Sequence, residues 1–320
     1  MSKMKPAPAR QRLLVLLLLL ASCRAWVQHA PLPRRRALGV GSRASVNDEL
    51  GTNRNVEVEI DGNRICFDFY RGAQDKPGVV FLQSLSSSKN SAVSAALELW
   101  CRKQGRSYLC ADYYGCGRSS GDFSEGTVSL WARQAAALIR YLLGEQSKSN
   151  APPVLVGAGV GGWLALLIAS ARPELTSGIV GLAADPDFTE DLLMANLTEE
   201  QKKQIMEQGS QDIRWGNRWY PISRALIEDG RRNLLLRGGA GSIPVTCPVR
   251  LIHSVDDEEV PFETALKIAE VVRSDDVCCS LVKRSTHMLD EDEDFRRMKA
   301  AVEDVWSCYL AYDLTSPGSG

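Results

Sequence analysis

Val154-Leu155-Val156-Gly157-Ala158-Gly159-Val160-Gly161-Gly162-Trp163 decides how this chain is read. Three β-branched or leucine residues run into four glycines within six positions. An apolar segment, Trp163–Ala171, follows without a break. The pattern is a buried strand, a tight turn and a helix. Two chemistries use that geometry. Gly157, Gly159 and Gly162 satisfy G-x-G-x-x-G, the dinucleotide-binding turn whose glycines let a pyrophosphate approach a helix N-terminus. That chemistry also wants an acid after the next strand, and Asp185 stands there, somewhat late. Gly157-x-Gly159-x-Gly161 alternatively fits a nucleophile elbow, where small residues must flank a nucleophile held in a strained conformation.

The sequence downstream favours the elbow. An elbow nucleophile is followed in the chain first by an acid and then by a histidine. The apolar run Val249–His253 ends in Asp256-Asp257-Glu258-Glu259-Val260-Pro261, and the run Cys279–Val282 ends in Arg284-Ser285-Thr286-His287. An acid and a histidine just past the C-terminal ends of two strands lie on the edge where open α/β sheets build their sites. The dinucleotide turn, by contrast, normally opens its domain, and here at least two strand–helix units precede it.

Working outward, the flanks read as one α/β domain. Val56–Ile60 and Ile65–Tyr70 alternate around Asp61-Gly62, a hairpin signal. Short apolar runs at Gly78–Leu82, Ser107–Ala111, Val154–Val156, Gly178–Ala183, Val249–His253 and Cys279–Val282 are separated by helical patterns at Ala92–Lys103, Val128–Leu143, Val160–Ala171 and Phe262–Val272. A last helix spans about Phe295–Tyr312. Continuous apolar strands alternating with helices predict a mostly parallel sheet covered on both faces. Residues 187 to 243 break the alternation with Thr198–Gln208, a Trp/Tyr-rich turn at Trp215–Tyr220 and Ile222–Leu236. They are expected to form a small helical lid. The domain is placed at 48–312 and a flexible tail at 313–320. Trp131 and Trp163 read as packing residues; Trp215, Trp219 and Tyr220 fit either an acyl pocket or the packing of the lid.

These motifs resemble the α/β-hydrolase superfamily over about Pro77 to Tyr312. Asp112-Tyr113-Tyr114-Gly115-Cys116-Gly117-Arg118-Ser119-Ser120-Gly121 matches its D-Y-x-G-x-G-x-S-x-G loop. Gly161-Gly162-Trp163, the segment Tyr220–Arg231 and Pro248–His253 are similar to the organellar acyl-protein thioesterase/acyl-glucuronide esterase group and its bacterial relatives. The resemblance implies an α/β-hydrolase fold, Asp257 as the acid, His287 as the base, and oxyanion donors at the backbone N–H of Val160 and of Ser84 or Leu85. It also exposes a gap. The nucleophile position is Gly159, where the family has serine. The oxyanion loop, Gln83-Ser84-Leu85-Ser86-Ser87-Ser88, replaces a customary glycine-rich run.

Acyl transfer by such a triad needs a hydroxyl to carry the acyl group. Its loss costs about 10⁶ in kcat, leaving roughly 10³–10⁴ over water from binding and the oxyanion hole. The expectation is a weakly active or non-catalytic protein of esterase/thioesterase ancestry. The alternative is an active ester or palmitoyl-thioester hydrolase using water activated by His287 and Asp257, or a relocated nucleophile from Ser84, Ser86, Ser87, Ser88 or Cys116. The implied ligand is a small molecule or an acyl-protein; no cofactor and no metal are implied.

The net charge of −1 conceals an asymmetry. Residues 1–47 carry nine of the 38 Lys+Arg and none of the 39 Asp+Glu, so residues 48–320 hold 29 bases against 39 acids, a net of −10. An acidic body argues against a nucleic-acid partner. Four of its acids, Asp256–Glu259, surround the expected catalytic acid and should disfavour anionic substrates unless Arg250 or Arg284 offsets them. In the leader, the bases Lys3–Arg12 precede Leu13–Leu20 and the small residues Ala21, Ser22 and Ala25, as in a signal peptide. Residues 26–47 are Arg-rich and acid-free, as in a transit peptide. A signal peptide (1–25) followed by a transit peptide resembles the bipartite presequence of algae with complex plastids, which makes a plastid the expected address. Secretion, a mitochondrion and lipidation at Cys23 within Leu20–Cys23 are the alternatives, and membrane contact is expected only through this leader. The eight remaining cysteines form no C-x-x-C pair, so zinc-ligand spacing is absent.

Overall fold

The computed structural model describes residues 46–47, 51–73, 75–143, 151–216 and 218–315. The expected signal peptide and nearly all of the expected transit peptide lie outside the described residues, as do 316–320.

Eleven strands follow one another along the described chain. They are β1 (Val46–Asn47), β2 (Thr52–Ile60), β3 (Asn63–Tyr70), β4 (Val79–Leu82), β5 (Tyr108–Ala111), β6 (Val154–Ala158), β7 (Gly178–Leu182), β8 (Ser210–Trp215), β9 (Arg218–Ser223), β10 (Val249–Ser254) and β11 (Val277–Val282). Nine of them form one sheet in the order β1-β2-β3-β5-β4-β6-β7-β10-β11. β2 and β3 make the antiparallel hairpin expected around Asp61-Gly62, and β3 joins β5 antiparallel. From β5 to β11 every pairing is parallel.

Seven α-helices cover the sheet and its edge: α1 (Ala92–Lys103), α2 (Val128–Leu143), α3 (Val160–Ala171), α4 (Glu199–Gln208), α5 (Arg224–Arg232), α6 (Glu263–Val271) and α7 (Asp292–Thr315). Strand alternation assigns them to faces. Val80, Leu109, Leu155, Ile179 and Leu251 pack with α2, α3 and α6. Their neighbours Val79, Cys110, Val154, Val156, Val180 and Ile252 pack with α1 and α7. Because both faces are buried, the strands read as continuous apolar runs rather than alternating ones. On the second face Trp100 and Trp306 stack at 4.8 Å and tie α1 to α7, an aromatic contact worth about 0.5–1.5 kcal/mol beyond its burial. α3 is apolar on every side and almost wholly buried, as befits a helix between sheet and lid. Trp131 and Trp163 are both buried; their indole N–H groups donate to the carbonyls of Tyr114 and Asn233, each at 3.1 Å.

The lid departs from expectation in two places. Trp215–Tyr220 does turn the chain, but between two strands: Trp215 lies opposite Arg218 at the end of an antiparallel ribbon, β8–β9, with Ile213 opposite Tyr220 and Gln211 opposite Ile222. The alternation Gln211-Asp212-Ile213-Arg214-Trp215 explains it, since Ile213, Tyr220 and Ile222 are buried on one side while Trp219 stays exposed. The expected helix to Leu236 also stops early, at Arg232. Beyond it the buried Asp187 carboxylate accepts the amides of Leu235 and Leu236 at 2.7 and 2.8 Å, capturing backbone that would otherwise continue the helix. At the chain's end, α7 continues to Thr315, three residues into the segment expected to be a flexible tail. The first helix breaker is Pro317, which disfavours helix only at itself and its predecessor.

Candidate active site

The C-terminal ends of β4, β6, β7, β10 and β11 converge on one edge of the sheet. At β6 the chain turns through Gly159, with φ 52° and ψ −122°, into α3. The surrounding glycines are there for close packing. A Cβ at Gly161 would lie 1.9 Å from the Leu82 carbonyl oxygen, and one at Gly157 2.4 Å from that of Gly161. Both glycines therefore serve the tight packing of strand against helix that a nucleophile elbow demands of the residues flanking its turn. Gly159 differs. The three atoms nearest a Cβ there all belong to side chains: Ser84 Oγ at 2.7 Å, Ser84 Cβ at 3.4 Å and Asp185 Oδ2 at 3.6 Å.

Acid and base are assembled. His287 Nδ1–H donates to Asp257 Oδ2 at 2.9 Å, which leaves Nε2 as the basic nitrogen. The other carboxylate oxygen of Asp257 accepts the amides of Glu259 and Val260, both at 2.9 Å. His253, on β10, adds a partner: its Nε2 lies 3.0 Å from the Val260 carbonyl and 3.3 Å from Asp257 Oδ2. Both neighbours are acceptors, so Nε2 carries the proton and Nδ1 is left buried without a partner among the described residues. Burial works against the Asp257 carboxylate, but the hydrogen bonds from His253 and His287 outweigh it and hold the acid well below the usual range. Burial likewise opposes a charged His287. The Asp257 hydrogen bond and the charges of Asp257, Asp185 and Glu259 more than compensate, and the imidazole becomes more basic.

The two loops are tied to one another. Ser254 Oγ donates to the Ser285 carbonyl at 2.6 Å, and the Arg284 amide donates to Asp256 Oδ2 at 2.7 Å. These contacts place His287 beside Asp257 although the two are far apart in sequence. The oxyanion loop after β4 is fixed by Tyr113, whose hydroxyl donates to the Gln83 carbonyl at 2.9 Å. Asp112 accepts the amides of Lys89 and Arg118 at 2.8 and 2.9 Å, so the D-Y-x-G-x-G-x-S-x-G motif works as a staple between loops. Val160 opens α3, where helix amides lack intrahelical partners. The amides of Ser84 and Leu85 donate to no backbone acceptor among the described residues. All six expected positions, Gly159, Val160, Ser84, Leu85, Asp257 and His287, therefore lie on strand ends or loops of one sheet edge.

Asp185, the acid that the dinucleotide reading would have used, is a member of this site. Its amide contacts the Gly159 carbonyl at 3.3 Å, and its Oδ1 is sealed from solvent without a partner. Burial, set against the pull of His287 and assisted by the repulsion of Asp257, pushes its carboxyl up to about 8. It therefore touches the bare elbow and acts on the base through its charge. His253 had a sequence signal that went unused, its position four residues before Asp257.

A cavity of about 760 Å³ opens beside the pair, lined by His287, Asp257, Glu259, Arg214, Trp215 and Leu192 among others. Trp215 thus reaches the cavity, while Trp219 does not line it. Neither arginine named for offsetting the acids does so in the way anticipated. Arg250 is buried at the opposite end of β10, paired with Asp276 at 2.7 Å and with Asp304, and Arg284 does not line the cavity. The cation that does is Arg214, brought by the ribbon.

The chain is similar to proteins of known kind. A model of the "Alpha/beta hydrolase family" matches residues 95–305. "Palmitoyl-protein thioesterase ABHD10, mitochondrial" from Rattus norvegicus is 31% identical over 232 residues, covering 72% of this chain and 75% of that protein. The Mus musculus protein of the same name is 32% identical over equal shares. Among solved structures, a putative hydrolase from Agrobacterium vitis S4 superimposes with a TM-score of 0.70 at 30% identity, covering 78% of this chain and 97% of its own. Mouse alpha/beta hydrolase domain-containing protein 10 does so with 0.68 at 28%, covering 81% and 99%. Sheet order, elbow, acid and histidine loops and these matches agree: the chain belongs to the alpha/beta hydrolase family.

Proposed function

We propose that this protein binds carboxylic esters or thioesters, acyl-proteins among them, and hydrolyses them slowly with His287 as the base. The observation that carries the reading is a base–acid pair assembled at 2.9 Å beside an elbow that has kept its strained backbone but has no side chain. A site left purely for binding would have no use for a carboxylate held by His287, His253 and two amides. Without an elbow hydroxyl the rate falls far below that of a complete triad, about 10⁶-fold where the nucleophile is simply removed. The palmitoyl-protein thioesterase relatives support a thioester substrate, and the acidic cavity wall supports an uncharged or cationic one. No metal or cofactor enters this reaction.

The address we propose is an organelle reached through the basic, acid-free leader. The leader's two-part composition supports a plastid, whereas the word "mitochondrial" in the relatives' names supports the mitochondrial alternative. Fusing residues 1–47 to a fluorescent protein separates them, and a uniform cytosolic signal excludes both.

The activity is tested with the full chain on p-nitrophenyl butyrate and a palmitoyl thioester, beside His287→Ala and Asp257→Asn. Slow turnover that drops to background in both variants is expected. Turnover at ordinary enzyme rates, or turnover indifferent to His287→Ala, overturns the reading.

A further inference from the structure

The hydroxyl missing from Gly159 has a counterpart across the turn. Ser84 Oγ lies 2.7 Å from the point where a Cβ on Gly159 would stand, which puts it beside the place a serine hydroxyl at the elbow would occupy. The two side chains exclude each other: a contact under 3.0 Å means that one must shift. The half-buried Ser84 hydroxyl has no hydrogen-bond partner among the described residues, so no structural bond competes for its proton. It stands in the loop where the family resemblance calls for a glycine-rich run. A serine has thus been lost where the family has one, and another has appeared beside the same point.

The other candidates fall away. Cys116 is buried and its thiol is pushed up to about 12 by that burial, which leaves almost no thiolate. Ser86 sits exposed at the tip of a turn closed by the Ser87 amide on the Ser84 carbonyl, at 3.2 Å. None of Ser86, Ser87, Ser88 or Cys116 is among the atoms that approach Gly159.

We propose that Ser84 is the relocated nucleophile of this site, an inference that rests on the reading of His287 as base. His287 Nε2 takes the proton from Ser84 Oγ as that oxygen adds to the acyl carbon. The tetrahedral adduct collapses with cleavage of the C–O or C–S bond, and His287 returns the proton to the departing alkoxide or thiolate. Water then attacks the acyl–Ser84 ester with His287 again accepting a proton. The carboxylic acid leaves and Ser84 recovers its hydrogen. The amides of Val160 and Leu85 hold the oxyanion. Ser84 comes from the oxyanion loop and not from the elbow, so its approach to the carbonyl is less favourable than in the family, in keeping with slow turnover.

The test treats the full chain with a fluorophosphonate probe, maps the adduct by mass spectrometry, and follows p-nitrophenyl butyrate turnover in parallel. The adduct is expected on Ser84. Ser84→Ala should remove it and lower turnover about a hundredfold or more, while Ser86→Ala changes neither. Gly159→Ser alone should gain nothing, because its new side chain meets Ser84; Ser84→Gly combined with Gly159→Ser should exceed the wild type. Ser84→Cys guards against misfolding, since it should become a thiol that reacts rapidly with chloroacetamide only while His287 is present. An adduct on another residue, or none, overturns the proposal, as does wild-type turnover in Ser84→Ala. If turnover then still requires His287, water attacks directly and only the role of Ser84 is lost. If His287→Ala is equally indifferent, the proposed function falls with it.

Discussion

Asp185 offers a sharp test of the electrostatics at the elbow. Its carboxyl is displaced from 3.8 to about 8 by burial, with His287 as the opposing influence and the charges of Asp257 and Glu259 adding to the displacement. Between those values the folded chain binds a proton that the unfolded chain has released. Stability therefore falls as pH rises, by about 1.4 kcal/mol per pH unit for one proton. From pH 5 to pH 8 the loss approaches about 4 kcal/mol, an upper bound because local opening and water entry relieve part of it. His287 has the same sign. Its basicity is raised in the fold, so its contribution is complete below its unfolded value and disappears as pH climbs through the folded one. Asp185→Asn removes the first titration and weakens the second. Urea unfolding of both proteins from pH 5 to pH 9 gives the comparison. Whatever offset Asn introduces at pH 5, the variant should gain on the wild type with each further pH unit until about pH 8, and the His287-controlled limb of any pH–rate profile should move to lower pH. Parallel stability curves would refute the reasoning, because they would mean that Asp185 is as well solvated in the fold as in the open chain.

Two further outcomes follow from other parts of the structure. Asp187→Ala strips the amides of Leu235 and Leu236 of their acceptor and should cost about 2–3 kcal/mol; a change under about 0.5 kcal/mol in urea unfolding would show that water replaces the carboxylate. Glu259→Gln removes one acid from the cavity wall that Arg214 shares, and should lower the KM for an anionic ester relative to a neutral one of equal length, an advantage that fades with added salt. An unchanged KM ratio would place the substrate elsewhere.

Much of this architecture is legible in the chain. Val154–Val156, Val249–His253 and their counterparts are apolar on both faces, so their burial between helices is written in composition. The turn at Gly157–Gly162 can be read because small residues are demanded where helix and strand touch. Asp257 and His287 are visible because each directly follows a strand whose end must lie on the site's edge. The lid was harder. Its ribbon alternates only over short stretches interrupted by Gly216, and its second helix ends through a carboxylate, Asp187, supplied from the start of the insertion. His253 carries no such strand-end signal, because a histidine inside an apolar strand reads as core.

The sequence by itself determined the family, the order of acid and base, and the absence of a hydroxyl at Gly159. Each depends on local spacing or on a single residue's identity. Only the tertiary structure decided that Ser84 and Asp185 stand on either side of that empty position. They come from loops after different strands, β4 and β7, that flank β6 in the sheet although the two residues are 101 positions apart in the chain. No periodicity governs where a loop side chain points. Parallel pairing sets the strand ends level, and that alignment brings a hydroxyl and a carboxyl to the place from which the expected side chain is missing.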